Sequence, residues 1–593
     1  MRIFAWMPAA LALAVLAPPC ASSGRAAAAP SAVIPLDLSD YYSHANPVKL
    51  IAQYEAAHGA RVWPTMMALS DIPPADIKLL TTHLRDGNLS SGAAQRLRWV
   101  IAHIRERARA LPLIRRREIW ATNTFTGAYR KVGQRSPTWD AAAEAAITLY
   151  AVNTGLWGGH GGGASLLYNL KKDCRKAIAL GCHDPLVVYL HDWQWQQGPR
   201  KMGLFFQRFM HTQIALERLL ASRYPLPVKF AVLYSQSAVL VARRMTLYVR
   251  GTTDPMLAHP MSGNLQRLVT MLPAVVSDPR TPDVFFAPRM VNMSHWLHAQ
   301  LHWTWRHIDR DLSAAFAHDS TRSAYFDPLL KGLMWQGIGW DVRGSGLAST
   351  VSPKEWAEFR IDERKALQLL QSDARQHPTR AVVWQCLVNL GVGAQLSQHS
   401  EMANFLHALR LDPTYFPTVD SMGWYLERRW YGSPQSETAL ASLLIFHGYW
   451  RSGIPLYGMN ELVHAVADSP KGSYLTERIL SFPQWRHKQV WGLLQAAYDQ
   501  YLQRHPDDVW ARSSYLHAAM VLHHWHIVLR QALAAKAALS TYPATPAYGQ
   551  SRDAISQNLW HASPQILDKF ANQARRHLGL KPIPVLNGPS ASR

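Results

Sequence analysis

Cysteine is nearly missing from this chain, with four residues in 593 and no C-x-x-C pair. A dense disulfide framework, a zinc ribbon and covalent haem attachment are therefore excluded. Acidic residues are scarce beside basic ones, 40 Asp and Glu against 62 Lys and Arg, for a formal charge of +22. Long apolar runs are missing too: the best, Phe230 to Val249, is broken by Ser235-Gln236-Ser237 and Arg243-Arg244, so no transmembrane segment is expected. No G-x-x-x-x-G-K-[ST] is present, which removes the P-loop reading. Alternating apolar and polar runs are rare, which leaves helical patterning dominant. What remains is 48% hydrophobic and 10% aromatic, enough for several cores and incompatible with disorder.

The first thirty residues read as an address. Arg2, an apolar stretch from Ala9 to Ala17 and the small residues Ala26 to Ala29 before Pro30 have the order of a secretory signal peptide, with cleavage expected near Ala28 or Ala29. Cys20 follows Ala17-Pro18-Pro19, where a lipobox takes small non-proline residues, so a lipid anchor is not expected. Residues 1–29 carry Arg2 and Arg25 and no acid, leaving 60 basic against 40 acidic residues, +20, in the mature chain. That excess favours anionic partners. Export makes nucleic acid the poorest of them, and the basic residues around Arg105, Arg107, Arg109, Arg115, Arg116 and Arg117 join no nucleic-acid module. Cys174 and Cys182 lie about 12 Å apart along a helix and could bridge only if Gly181 turned the chain back. With Cys386 they are expected to be buried free thiols.

A rhythm marks the C-terminal half. Ala408, Ala465 and Ala538 each precede a proline by five residues, and the spacings are 35 from Pro378 to Pro413, 36 from Pro470 to Pro506 and 37 from Pro506 to Pro543. Alanine lets paired helices approach and proline stops the second one. Phe405, Ala408 and Pro413 sit as in tetratricopeptide repeats, which this region resembles in degenerate form. The expected fold is all-α, a superhelix of tetratricopeptide-like helical hairpins. The expected segments are a signal peptide at 1–29, an N-terminal helical region at 30–335, a distinct helical region at 336–450, C-terminal repeats at 451–575 and a tail at 576–593.

Residues 339–351, Gly-Trp-Asp-Val-Arg-Gly-Ser-Gly-Leu-Ala-Ser-Thr-Val, form a glycine-rich stretch expected to turn. Ser352, Pro353 and Glu355 then supply an N-cap, a first-position proline and a capping-box partner. With Trp356, Phe359, Leu411-Asp412-Pro413 and Arg429-Trp430-Tyr431-Gly432-Ser433, the order resembles a bacterial family known only as domain of unknown function 4034, over roughly residues 335 to 450. The resemblance implies a helical, repeat-like bacterial domain and no activity.

Several clusters invite a chemical reading. Gly158-Gly159-His160-Gly161-Gly162-Gly163 imitates a hydrolase oxyanion loop, but no G-x-S-x-G nucleophile accompanies it, so a loop contributing His160 to a binding surface is expected. His295, His298 and His302 share a helical face, and His298 with His302 has metal-clasping spacing. Ala299 and Gln300 fill the interval where H-E-x-x-H needs its glutamate, so no metal and no cofactor are expected. Asn292 and His295 weakly resemble the Asn and His of helical polysaccharide lyases, the first neutralising a uronate and the second removing its C5 proton. His517, His523, His524 and His526 form a further cluster read as packing. Gly332-Leu333-Met334-Trp335 imitates part of a lytic transglycosylase motif, but no Glu-Ser precedes it at a sensible distance. Trp340, Arg343 and Trp430 are the remaining binding candidates, because Trp, Tyr and Arg anchor interfaces. The expected function is an exported binding or assembly scaffold for an envelope protein or an anionic glycan, with a lyase acting on acidic polysaccharide as the alternative.

Overall fold

The computed structural model describes residues 46–584 except 56–64, 67, 70–71, 88, 158–163, 197–201, 250–254, 345, 347, 428–429, 447–453, 456, 460–483, 507 and 541–563. The signal segment, Cys20, the Gly158–Gly163 stretch with His160, and the Ala465–Pro470 and Pro543 landmarks lie outside the described residues. Among the described residues the chain is all-helical, without strands, and no helix is long and apolar enough to cross a membrane.

In chain order the α-helices are α1 (Pro47–Glu55), α2 (Ile77–Asp86), α3 (Ser91–Val132), α4 (Asp140–Trp157), α5 (Ala164–Ala179), α6 (Pro185–Gln196) and α7 (Met202–Ala221). There follow α8 (Leu226–Val249), α9 (Pro255–Val276), α10 (Asp283–Leu301), α11 (Trp305–Phe316), α12 (Ser320–Arg343), α13 (Pro353–Gln376) and α14 (Ala381–Leu390). The last are α15 (Gln398–Leu411), α16 (Phe416–Tyr425), α17 (Pro434–Phe446), α18 (Gln484–Arg504), α19 (Val509–Val521), α20 (Trp525–Ser540) and α21 (Pro564–His577). Helices adjacent in sequence pack on one another, among them α3 with α4, α12 with α13, α14 with α15 and α19 with α20. Pro378, Pro413 and Pro506 each stand two residues beyond a helix end, where a residue without N–H cannot extend the helix. The start of α13 is the capping box read from the sequence: Ser352 accepts from the Glu355 N–H and Glu355 accepts from the Ser352 N–H, with Pro353 in the first turn.

Three apolar cores bring together residues far apart in sequence. One runs from Ala121 to Leu390. A second joins Leu50 to Ile104 with Ala441 to Ala574. A third collects Val388 to Ile454. The 42-residue α3 links them: Leu97, Val100 and Ile104 belong to the second core, and Ala121, Phe125 and Tyr129 to the first. A buried ion pair fastens α3 to the end of α15, Arg117 Nη1 to Asp412 Oδ2 at 2.6 Å.

The polar break in the longest apolar run is explained by burial inside α8. Ser235, Gln236 and Ser237 are buried; Ser235 Oγ meets the Tyr150 hydroxyl at 2.9 Å and Ser237 Oγ donates to the Leu233 carbonyl at 2.8 Å. Gly181 does end α5 with a positive φ of 92°, yet Cys174, Cys182 and Cys386 are free, buried thiols. Burial pushes the Cys182 thiol up to about 11.

Candidate functional site

The expected turn from Gly339 starts later than the sequence suggested. Gly337 and Gly339 are inside α12, which continues to Arg343, and Gly344 ends it with φ 68°. The helical glycines serve close packing instead. A Cβ on Gly337 would lie 2.1 Å from the Trp305 indole, and one on Gly339 would touch Phe359 and Asp362 of α13 at 3.4 Å. Two flanks meet at this helix end because Trp340, Asp341 and Arg343 occupy its last turn.

On the first flank Asp341 gathers the histidine helix. Its Oδ1 lies 3.0 Å from His298 Nε2 and its Oδ2 accepts from Trp305 Nε1 at 3.0 Å. His298 Nδ1 is 2.9 Å from the Trp303 carbonyl, and the ring stacks on Trp305 at 4.6 Å. Both nitrogens thus face acceptors, and the imidazolium satisfies both. Burial opposes that charge, but the Asp341 hydrogen bond, the Trp303 carbonyl and the Asp341 charge together hold His298 above its ordinary pKa. His295, edge-on to Trp305 at 5.4 Å, is the opposite case: burial, then the neighbouring His298, push it down to about 4. His302 does not share their face. It is the left-handed C-cap of α10, φ 56°, and is exposed. Among the described residues no group of three or more His, Cys, Asp or Glu is placed to hold a metal ion.

The second flank is aromatic. Trp340 packs edge-on to Phe359 at 5.2 Å and contacts Trp424 at 5.8 Å, and Trp424 meets Trp430 at 5.4 Å. All three tryptophans are half-buried. The Arg343 guanidinium lies 5.4 Å from both the Trp340 and Trp356 rings, and its Nη1 donates to the carbonyls of Gly344 at 2.8 Å and Gly346 at 2.9 Å. Arg343 is buried, so it clamps the turn and positions the tryptophans. Trp340, beside Arg343 on one helix turn, and Trp430, far from it in sequence, are joined through Trp424 into one seam packed on the third core, with Trp356 on the other side of Arg343.

Other sequence candidates sit elsewhere. Asn292 is buried and its amide donates to the Tyr234 hydroxyl at 2.8 Å. Beside it the buried Arg289 lies 4.0 Å over the Phe285 ring and 5.2 Å over Tyr234. The His517 cluster straddles a turn: His517 is in α19, His523 is left-handed at φ 58°, and His526 opens α20. His524 stacks on Trp491 at 3.8 Å, and burial, then His526 and His523, push it down to about 4. Gly332 is packed against Leu370.

Sequence reasoning missed two carboxyls. Glu363 and Glu401 are buried against Gly393 and Gly391, where an added Cβ would fall 2.3 Å from each carboxyl. Burial, helped at Glu363 by the Asp362 charge, raises both well above the usual carboxylate range. Their spacing from the glycines on one turn, G-x-G, is the only trace they leave in the sequence. No family model and no curated protein matches the chain.

Proposed function

We propose that the protein is an exported helical-repeat scaffold that binds an anionic glycan or a protein of the bacterial envelope along the tryptophan seam. The observation that carries this reading is the row of Trp340, Trp424 and Trp430, half-buried with Trp424 touching each of the other two, and Arg343 and Trp356 fixing the adjoining turn. Indole faces give large contact area at small entropic cost and are favoured binding anchors. A superhelix of tetratricopeptide-like hairpins would extend such a surface by repetition, and the proline stops after α13, α15 and α18 support that finer fold. The capped start of α13, the Leu411-Asp412-Pro413 tail and the Trp430-Tyr431 pair also support kinship with domain of unknown function 4034.

The lyase alternative has less support. Asn292 is engaged with Tyr234, and a His295 pKa of about 4 makes a poor base at neutral pH. Pull-down from envelope extract across a salt series tests the binding reading. Contacts made by apolar burial survive 0.5 M salt, whereas attraction through charge alone fades as the Debye length falls from about 10 Å at 0.1 M to about 3 Å at 1 M. Partners retained at 0.5 M by the wild type and lost from Trp340→Ala support the seam. Loss of every partner at moderate salt reduces the reading to non-specific charge, and unsaturated uronate ends released from a polyuronate panel favour the lyase.

A further inference from the structure

The arginines of α3 that look scattered in the sequence are sorted by the helix. Arg107 and Arg117 are buried, while Arg98, Arg105, Arg109 and Arg116 are exposed, as is Arg115 about 100° round the helix from them. At 100° per residue these four lie within about 20° of one line along the helix, and the first and last are about 27 Å apart. Ala102 and Pro112, exposed between them, are too small to interrupt the line. Arg109 pairs with Glu106 at 2.8 Å at the surface. Among the described residues Arg98, Arg105 and Arg116 have no carboxylate within ion-pair reach. The Arg117–Asp412 pair and the Arg410–Glu106 contact at 3.5 Å fasten this stretch to α15, so the arginine row is anchored on a packed helix, with Pro112 inside it between Arg109 and Arg116.

We infer that this arginine ridge is a docking surface for a linear carboxylated polysaccharide, which rests on the proposed binding function and names its substrate class. Planar guanidiniums engage carboxylates with paired N–H donors, and a row of four of them along one helix line matches a linear chain that carries repeated carboxylates. A membrane-binding helix would interleave large apolar residues with its basic ones on the same face. Here the large apolar Leu113 and Ile119 stand about 60° to either side of the line, and Trp120, about 40° off it and half-buried, lies beyond Arg116 at one end. Nucleic-acid recognition would add aromatic platforms between the cations, and none lies on the line.

The test is titration of the full chain with polygalacturonate at 0.1 M salt. Arg98, Arg105, Arg109 and Arg116 are changed together to Gln, and a control variant changes the exposed Arg310, Arg360, Arg364 and Arg375 to Gln for the same loss of charge. The ridge variant is expected to bind about tenfold more weakly, the sum of several exposed charge contacts, and the control within about twofold of wild type. Single Arg105→Gln and Arg116→Gln variants, each weakening binding by a smaller factor, keep the test valid should the quadruple variant fold poorly. Equal losses in ridge and control variants overturn the proposal. Ridge-dependent binding that is tighter for double-stranded DNA or for phosphatidylglycerol vesicles than for polygalacturonate also overturns it. Wild-type binding that the ridge variant keeps removes the ridge and leaves the seam reading standing. Binding lost on the ridge and untouched by Trp340→Ala removes the seam and leaves the ridge. No wild-type binding at all overturns the ridge and leaves the seam to the pull-down from envelope extract.

Discussion

Removing Arg117 should be among the most costly single changes in the protein. Its guanidinium meets Asp412 at 2.6 Å with both side chains less than a tenth exposed. The other carboxyl oxygen of Asp412 is already used, accepting from the Thr414 hydroxyl at 3.0 Å and the Thr414 N–H at 3.3 Å. Arg117→Met therefore strands a buried carboxylate, and Asp412→Ala strands a buried guanidinium. Each is expected to cost about 3–5 kcal/mol, because desolvation of the remaining charge is no longer offset. Replacing both, Arg117→Met with Asp412→Ala, removes the stranded charge and should cost less than either single change. The assay is denaturant unfolding of the four chains followed by tryptophan fluorescence, with circular dichroism confirming that each is helical at the start. Three cores share the chain, so the same transition must be compared across variants. Single-variant costs below about 1 kcal/mol that simply add would match a solvent-exposed pair. That result would refute the packing of α3 against the end of α15 from which the reasoning starts.

Three further outcomes follow from local chemistry. Ser352→Ala should lose about 1 kcal/mol of stability through its cap; an unchanged melting temperature would show that α13 does not depend on it. His524 is held near pKa 4 in the fold against about 6.5 unfolded, so it contributes stability above pH 6.5 that drains away as pH falls toward 4. His524→Gln should lessen the drop in melting temperature between pH 7 and 5, and an unaltered pH profile counts against the burial on Trp491. Glu363 is the reverse case, a carboxyl whose folded pKa is raised, first by burial. The fold retains its proton while the unfolded chain loses it above about pH 4.5, so Glu363→Gln should raise the melting temperature more at pH 8 than at pH 5. An equal effect at both values would contradict it.

Much of the helical architecture is legible from local signals. The capping box at Ser352 and the prolines after α13 and α15 act within a few residues of themselves, and sequence displays such effects directly. Long-range partners are not displayed. Gly337 and Gly339 look like turn residues until the Trp305 indole and the α13 face are set against them. Arg343 looks like a free binding arm, yet the turn it clamps is made by Gly344 and Gly346 and it is buried between two indoles. The Leu-Asp-Pro tail carries no local mark of its role because the partner of Asp412 is Arg117, in another helix far upstream. The same limit hid the seam and the ridge. Trp340, Trp424 and Trp430 meet through tertiary packing, and the ridge is separated from its buried neighbours Arg107 and Arg117 only by which side of α3 faces a core.

The most direct test of the account is the affinity of the full chain for polygalacturonate at 0.5 M salt, followed by tryptophan fluorescence and compared between wild type, Trp340→Ala and Trp430→Ala. At this salt the Debye length is about 4 Å, so the charge contribution is largely screened and apolar contact with the half-buried indoles remains. The account predicts saturable binding by the wild type with a shift in emission, weakened about tenfold in either variant, since an aromatic anchor contributes at least 1–2 kcal/mol. Wild-type binding with the same affinity in both variants, or no binding of the wild type at this salt, would contradict it.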